Sequence, residues 1–271
     1  MSWLQNQVDI NPQKLFIQLN DRHYTLLETA EMVHAYVQSL LRENFKPQDK
    51  ILIYLPSGTE LVHVILACFE IGAVAVPISP KLTNKECNII IDKIQPNLII
   101  TNWEYKSIFI PYSLPLAFIE ELPYSSHGCS IVINNYEKHS DDIAANILTS
   151  GTTGIPKAVQ LTYENFEVSC SNWNNFLRFE SNDQFLCCLP IYHIGGMAVL
   201  IRSLIYGFSI CLVNEFQAEI VLKTIQNHHV SIISLVPTML KRIINLEGGI
   251  EGLRSIRWIL LGGGPTPEYL L

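Results

Sequence analysis

Short apolar runs alternate with segments of helical length from Lys50 onward, and this alternation constrains the fold more than any other feature of the sequence. Near-continuous apolar strands that are separated by helices form a sheet buried on both faces. They are typical of a doubly wound α/β architecture. The predicted strands are 51–55, 73–78, 97–101, 143–148, 184–189, 208–213, 230–236 and 256–261, and the predicted helices are 59–71, 161–177, 196–206, 218–228 and 237–246.

One irregular segment interrupts the alternation. Residues 106–142 are richer in Pro, Ser, Asn and His, and we interpret them as a variable connection between two α/β halves. The predicted boundary lies near Asp142, which gives halves of residues 1–142 and 143–271. With 271 residues, of which 48% are hydrophobic, the chain can bury a sizeable core, so disorder is excluded as its main state.

Charge and cysteine usage exclude several function classes. The net charge is -7, the isoelectric point is near 5.6, and no Lys/Arg cluster stands out, so no nucleic-acid partner is expected. The seven cysteines form no Cys-x-x-Cys pair and stand mostly in apolar runs. This usage argues against a zinc site and is typical of a reduced, cytoplasmic protein.

No segment of the sequence is expected to be a signal peptide or to cross a membrane. The first residues carry no basic region ahead of an apolar stretch. The run 191–213 approaches transmembrane length, but Arg202 near its middle would cost about 2.5 to 3.5 kcal/mol in a bilayer. Gly195, Gly196 and Gly207 divide the run further, so we expect a loop, a buried helix and a strand.

A hydroxyl- and glycine-rich loop follows the predicted strand 143–148 and ends in a lysine. Glycines let the backbone approach a ligand closely, hydroxyls donate hydrogen bonds, and the lysine adds a mobile cation. A loop at the carboxyl end of a strand is where open α/β sheets bind ligands. The sequence therefore predicts a phosphate site formed by Thr149, Ser150, Gly151, Thr152, Thr153, Gly154 and Lys157.

This loop has two alternative interpretations. Gly151 and Lys157 have the separation of a Walker A loop, but Pro156 replaces its second glycine and Ala158 replaces its magnesium-binding hydroxyl. A P-loop NTPase is therefore disfavoured. A flexible surface loop would explain the composition, but it would explain neither the lysine nor the preceding strand.

Three segments, in the same order along the chain, resemble motifs of the adenylate-forming enzymes, which include acyl-CoA synthetases, peptide-synthetase adenylation domains and luciferases. Residues 149–158 resemble the phosphate loop of that family, 189–196 its aromatic-histidine motif and 260–265 its glycine-rich segment. The runs 189–207 and 232–237 most resemble one branch, the 2-succinylbenzoate–CoA ligases of menaquinone synthesis. The resemblance implies two doubly wound, mixed or parallel sheets with flanking helices.

The resemblance also implies a reaction in two steps. The carboxylate of a small acid attacks the α-phosphate of ATP to give an acyl-adenylate and pyrophosphate, and coenzyme A then displaces AMP. Positioning and charge neutralisation dominate such chemistry. Lys157 and its loop would hold the β- and γ-phosphates, and Mg²⁺ would enter with ATP. No residue of this sequence is assigned as a metal ligand.

His193 and the glycines 262–264 take roles by the same resemblance. His193 would lie beside the acyl carboxylate and the α-phosphate; the alternative is a hydrogen-bonded core histidine at a helix N-terminus. Gly262, Gly263 and Gly264 would form a flat backbone floor for adenine and for an aromatic acyl group, with Gly263 contacting both. The alternative for these glycines is a tight turn after a strand.

Arg202 is the candidate for substrate selection. An arginine in an apolar helix either reaches the surface along its stem or pairs with a buried anion. In the ligases that this sequence resembles, an arginine at this spacing lies near the acyl pocket, and succinylbenzoate has a second carboxylate. We therefore expect Arg202 to contact the substrate, with the surface position as the alternative.

Other functions stay open at this point. Another acyl- or aryl-CoA ligase and a peptide-synthetase domain are alternatives, although 232–237 lacks the aspartate typical of the latter. The family is longer, and its later motifs, including a C-terminal domain with a catalytic lysine, are absent from these 271 residues. We therefore expect an incomplete N-terminal domain, and a noncatalytic nucleotide-binding remnant is a further alternative. A homo-oligomer also stays open.

Overall fold

A computed structural model describes residues 2–43, 45–122, 136–149 and 157–268. The strands are β1 (Leu15–Leu19), β2 (Arg22–Thr25), β3 (Lys50–Tyr54), β4 (Val74–Pro77), β5 (Leu98–Thr101), β6 (Leu116–Phe118), β7 (Ile143–Thr149), β8 (Lys157–Thr162), β9 (Gln184–Cys187), β10 (Ser209–Leu212), β11 (Ile232–Leu235) and β12 (Trp258–Leu261).

Helices precede and separate these strands. They are α1 (Trp3–Ile10), α2 (Leu26–Arg42), α3 (Thr59–Ile71), α4 (Asn84–Ile94), α5 (Lys106–Phe109), α6 (Tyr163–Leu177), α7 (Ile194–Tyr206), α8 (Ala218–Asn227), α9 (Pro237–Ile244) and α10 (Gly249–Leu253), with one 3-10 turn at Trp103–Tyr105. Among the described residues, none of these helices combines the length and the apolar content needed to cross a membrane.

The chain divides into two compact units. The first comprises Met1–Gln13 and Leu26–Ser169, and the second comprises Lys14–Thr25 and Cys170–Leu271. The boundary predicted near Asp142 therefore lies inside the first unit. The reason is that β7 pairs with β4 and β8 pairs with β7, so both strands complete the sheet of the first unit.

The sheet of the first unit has the order β6-β5-β3-β4-β7-β8 among the described residues. Its strands are parallel except for β8, which runs antiparallel to β7. Buried strands such as β3, whose Ile51, Leu52 and Ile53 have no exposed surface, form its centre. Local signals set the helices: α4 begins at a capping box of Thr83 and Glu86.

The sheet of the second unit has the order β12-β11-β9-β10-β1-β2 in the described part of the chain. All neighbouring strands are parallel except the hairpin of β1 and β2. Helix α7 begins immediately after His193 and ends at Tyr206. The residue that follows, Gly207, has a φ of 72°, the left-handed conformation favoured by glycine. An apolar cluster from β9, α8, β11 and α9 forms a core.

The predicted fold class is confirmed, because the described residues form two mixed α/β sheets with flanking helices. Several observed elements were not predicted, including the helices α1, α2 and α4 and the strands β1, β2 and β8. Residues 157–162 form β8, so the helix predicted from Leu161 begins at Tyr163 instead. Residues 14–25, for which no element was predicted, form β1 and β2.

Candidate functional site

The predicted phosphate loop connects two antiparallel strands of the first unit. Thr149 ends β7, Lys157 begins β8, and the two residues pair across the hairpin. The hydroxyl of Thr149 donates to the carbonyl oxygen of Lys157 at 3.4 Å. Ser150, Gly151, Thr152, Thr153 and Gly154 lie outside the described residues, so their part of the site stays a prediction.

The element that follows the loop separates it further from a Walker A loop. A P-loop leads from a strand into a helix whose N-terminus receives the phosphates, whereas Lys157 leads into β8. The side chain of Lys157 is exposed, and it makes no ion pair with another described residue. Its cationic end is thus accessible to an anion.

His193 lies at the turn between β9 and α7 in the second unit. Its backbone is extended (φ -108°, ψ 155°), and it is the N-cap residue of the helix. The amide of His193 donates to the carbonyl oxygen of Pro190 at 3.0 Å, and the carbonyl oxygen of His193 accepts from Gly196 and Met197 at 3.1 and 3.0 Å. The backbone that carries the imidazole is therefore fixed on both sides.

The imidazole of His193 does not behave as a core histidine. The residue is exposed, and its side chain makes no hydrogen bond to any described residue. Its ring contacts Tyr192, with 4.9 Å between the ring centroids. Partial burial lowers the pKa of His193, so the neutral imidazole is favoured at neutral pH. The interpretation as a hydrogen-bonded core residue does not fit the described part of the chain.

The turn before α7 is held by close contacts that the sequence motif did not reveal. The thiol of Cys187 lies 3.5 Å from the carbonyl oxygen of Leu189 and 3.9 Å from that of Gly196. Gly196 itself packs against the chain before His193, because a β-carbon there would lie 2.6 Å from the carbonyl oxygen of Leu189. The thiol and the missing side chain bring the two ends of the turn together.

The glycine-rich segment begins where β12 ends. The amide of Gly262 donates to the carbonyl oxygen of Leu235 at 3.1 Å. Gly263 has a φ of 76°, and a β-carbon on it would lie 3.1 Å from Val236. Gly263 therefore does make the tight left-handed turn of the alternative interpretation. Gly262 and Gly264 have open space at the position of a β-carbon, which leaves an exposed backbone surface.

The sheet of the second unit brings these two segments to one edge. β9, β11 and β12 are parallel neighbours, so their carboxyl ends lie on the same side of the sheet. The turn with His193 follows β9, and Gly262 follows β12. Lys157 and Thr149, in contrast, belong to the first unit.

Arg202 lies in α7 and is buried, with only 7% of the residue exposed. The alternative in which it reaches the surface is therefore wrong. Its Nε atom is buried and has no hydrogen-bond partner among the described residues, and no described carboxylate pairs with it. The guanidinium carbon lies 5.0 Å from the centre of the Trp173 ring, a contact that the sequence did not indicate. Burial lowers the pKa of Arg202.

Among the described residues, no cluster of three or more His, Cys, Asp or Glu side chains could hold a metal ion. Instead of metal ligands, the second unit has three groups that could bind an organic acid. They are the accessible neutral imidazole of His193 at a helix N-terminus, the open glycine surface at the same edge of the sheet, and the buried Arg202. The helix dipole of α7 also places a partial positive charge at the end that follows His193, and this favours a negative charge there.

Known proteins match the whole length of this chain. The 2-succinylbenzoate–CoA ligase of Oceanobacillus iheyensis is 34% identical over 270 residues, which cover 99% of this chain and 56% of that ligase. The o-succinylbenzoate CoA synthetase of Bacillus subtilis has been solved with its acyl-adenylate intermediate; it is 29% identical, with a TM-score of 0.87, and the match covers 99% of this chain and 55% of that one. The same synthetase bound to ATP and magnesium ion gives a TM-score of 0.85 at 29% identity, covering 99% and 56% of the two chains.

The chain spans about half the length of the relatives it matches. The family model described as "AMP-binding enzyme" matches residues 4–271, which is nearly the entire sequence. The family resemblance drawn from the three motifs is confirmed. This chain belongs to the AMP-binding enzyme family.

Proposed function

We propose that this chain forms the nucleotide- and acid-binding part of an AMP-forming acid–CoA ligase of menaquinone synthesis, and that its acid is 2-succinylbenzoate. The observation that carries the proposal is that α7 bears two candidate acid-binding residues. His193 stands at its N-terminus, and Arg202 is buried further along it, with its Nε atom lacking a hydrogen-bond partner among the described residues. 2-Succinylbenzoate has two carboxylates, one to be activated and one to be held. The relatives named for this acid support the choice.

The proposed reaction has two steps. A carboxylate oxygen of the acid attacks the α-phosphorus of ATP; the bond to pyrophosphate breaks, and an acyl-adenylate forms. The thiolate sulfur of coenzyme A then attacks the acyl carbon, and AMP leaves with the bonding electron pair. Catalysis of such steps depends mainly on orientation and on charge stabilisation, so the protein needs donors and cations more than a nucleophile of its own.

The phosphates of ATP would be held by Lys157, Thr149 and the loop between them. The exposed cation of Lys157 fits this role, because it has no ion pair with a described residue. Mg²⁺ would enter with ATP and neutralise phosphate charge, with phosphate oxygens and water as its main ligands. Coenzyme A belongs to the proposal as the second substrate.

The acid would be oriented by the second unit. The neutral imidazole of His193 can donate one hydrogen bond to the activated carboxylate or to the α-phosphate. The open backbone at Gly262 and Gly264 can accommodate a flat ring, with Gly263 turning the chain between them. The guanidinium of Arg202 would bind the second carboxylate, because a planar fork of N–H donors matches that group.

We further propose a cytoplasmic location, because the cysteines Cys68, Cys87, Cys170, Cys187, Cys188 and Cys211 are all free. A homo-oligomer is compatible with the proposal, and light scattering after size-exclusion chromatography would measure it.

Two binding measurements on this chain test the proposal. Isothermal titration with Mg²⁺–ATP should show weaker binding for Lys157→Ala by about 10- to 100-fold, the effect of losing a hydrogen bond to a charged group. Lys223→Ala, which removes an exposed lysine of α8, is the matched control. Titration with acids should show tighter binding of 2-succinylbenzoate than of benzoate, and Arg202→Met should remove that preference. Equal binding of the two acids by the unmutated chain would refute the dicarboxylate substrate.

A further inference from the structure

The Arg202 guanidinium lies over the aromatic ring of Trp173 in the described part of the second unit. Arginine has several rotatable bonds, and a guanidinium that binds a carboxylate through two N–H groups must be held in one orientation. Hydrogen bonds from neighbouring acceptors usually hold it, but the buried Nε atom of Arg202 has no hydrogen-bond partner among the described residues. Its directional contact within the described second unit is the ring of Trp173, 5.0 Å away.

The groups that interact electrostatically with Arg202 are the thiol of Cys170 and the phenol of Tyr206. Burial raises the pKa of Tyr206, so its phenol stays protonated. A buried cation without an anionic partner is costly. An indole face partly offsets this cost, because its π electrons attract the cation within about 6 Å of the ring centre.

Trp173 is not placed as an ordinary core residue. It is 39% exposed and lies in the second half of α6, where its neighbours Asn172 and Asn175 are also exposed. One side of the indole covers the guanidinium, while part of the ring faces solvent. An aromatic ring over the face of a guanidinium leaves the N–H groups in its plane available to a carboxylate.

We propose that Trp173 is a positioning residue that orients Arg202 for the second carboxylate of the acid, so that the pair of Trp173 and Arg202 sets the preference for dicarboxylates over monocarboxylates. The inference rests on the proposed function and extends it to a residue outside the sequence motifs. Trp173 acts through Arg202 and does not itself take part in adenylate formation.

The test compares acids rather than overall binding. Titration of this chain with 2-succinylbenzoate and with benzoate gives the ratio of the two affinities. Trp173→Ala should weaken 2-succinylbenzoate binding about 3- to 30-fold, the range of a partly desolvated cation–π contact, and should leave benzoate binding unchanged. Trp173→Phe should restore most of the lost affinity, because it keeps an aromatic face.

A double-mutant cycle separates positioning from a merely structural role. In the Arg202→Met background, Trp173→Ala should have no further effect on the affinity ratio. Phe176→Ala removes another exposed aromatic side chain, 78% exposed, from the same helix and is the matched control for altered α6 stability. It should leave both affinities unchanged.

The possible results distinguish this inference from the proposed function. If the unmutated chain prefers 2-succinylbenzoate and Trp173→Ala weakens both acids equally, the inference is overturned and the proposed substrate stands. A further loss on Trp173→Ala in the Arg202→Met background would likewise overturn it. If the unmutated chain shows no preference between the acids, the proposed function and this inference both fall.

Discussion

Gly196 is packed so closely against Leu189 that a β-carbon on Gly196 would lie 2.6 Å from the Leu189 carbonyl oxygen. Real β-carbons do not approach a carbonyl oxygen this closely, so Gly196→Ala must displace the turn that carries His193. We expect the free energy of unfolding to fall by about 1 to 3 kcal/mol, as measured by urea denaturation.

The neighbouring Gly195→Ala is the control, because there the new β-carbon would meet the flexible Leu189 side chain at 2.9 Å rather than the backbone. Both substitutions replace glycine by alanine in the same helix and gain the same helix propensity. The difference between their free energies of unfolding therefore measures the effect of the backbone contact at Gly196. Equal stability of the two variants would contradict the assigned packing.

His63 should make the protein sensitive to acid. It is buried in α3 beside the Tyr36 ring, and burial lowers the pKa of His63 to about 4. In the unfolded chain His63 binds a proton near pH 6.5, whereas in the folded protein it does so only near pH 4. The contribution of the neutral His63 to the free energy of unfolding is therefore complete above pH 6.5 and is lost as the pH falls toward 4. The total loss is about 3 kcal/mol.

Urea denaturation of the unmutated chain and of His63→Leu between pH 4 and 9 checks this prediction. The two free energies should differ by a constant amount between pH 7 and 9. Below pH 6.5 the curve of the unmutated chain should fall more steeply, by up to about 1.4 kcal/mol per pH unit. Parallel curves over the whole range would show that His63 does not titrate in this way.

Glu70 and Lys138 form a buried ion pair in the first unit. Their charged atoms lie 3.8 Å apart, and each side chain is only 8% exposed. The hydroxyl of Ser2 donates to Glu70 at 2.6 Å, and the ammonium of Lys138 lies 5.5 Å from the centre of the Tyr163 ring. Glu70→Ala leaves a buried lysine without its partner, so it should destabilise the fold by about 3 to 5 kcal/mol.

The double variant Glu70→Leu/Lys138→Met should recover most of that loss, because it removes both charges and keeps apolar volume. Glu180→Ala breaks the pair with Arg257, in which the Glu180 side chain is 62% exposed, and should change stability by less than about 1 kcal/mol. Thermal or urea denaturation of these three variants measures the order of their stabilities. A double variant as unstable as Glu70→Ala would contradict the prediction.

The buried cysteines should resist alkylation until the chain unfolds. Burial raises the pKa of Cys87 to about 11 and that of Cys188 and Cys211 to about 12, and it also raises the pKa of Cys68 and Cys187. Since the thiolate is the reactive form, iodoacetamide at pH 8 should label these positions only in denaturant. Peptide mass spectrometry with and without urea checks this, and native labelling at any of them would contradict it.

Local patterns in the sequence predicted most of the fold. Continuous apolar strands such as β3 and β9, and the turn at His193, follow from residues close together in the chain. β8 was not predicted, because it is an edge strand with mixed exposure that forms by pairing with β7. The site shows the same limit: motifs indicated His193 and Arg202, but the contact with Trp173 joins two helices and has no pattern in the sequence.

The pairing of β1 with β10 has a consequence for synthesis of the chain. Ile17 lies opposite Ile210, so a strand made near the start finds its partner about 190 residues later. At the usual rate of translation this delay is roughly 10 to 40 s. An isolated hairpin of β1 and β2 is marginal in water, so its apolar Phe16 and Ile17 stay exposed to chaperones and to aggregation during that interval. The sheet of the second unit therefore needs strands from two separate segments of the chain, residues 14–25 and 170–271. It can be completed only late in synthesis, after β10 has been made.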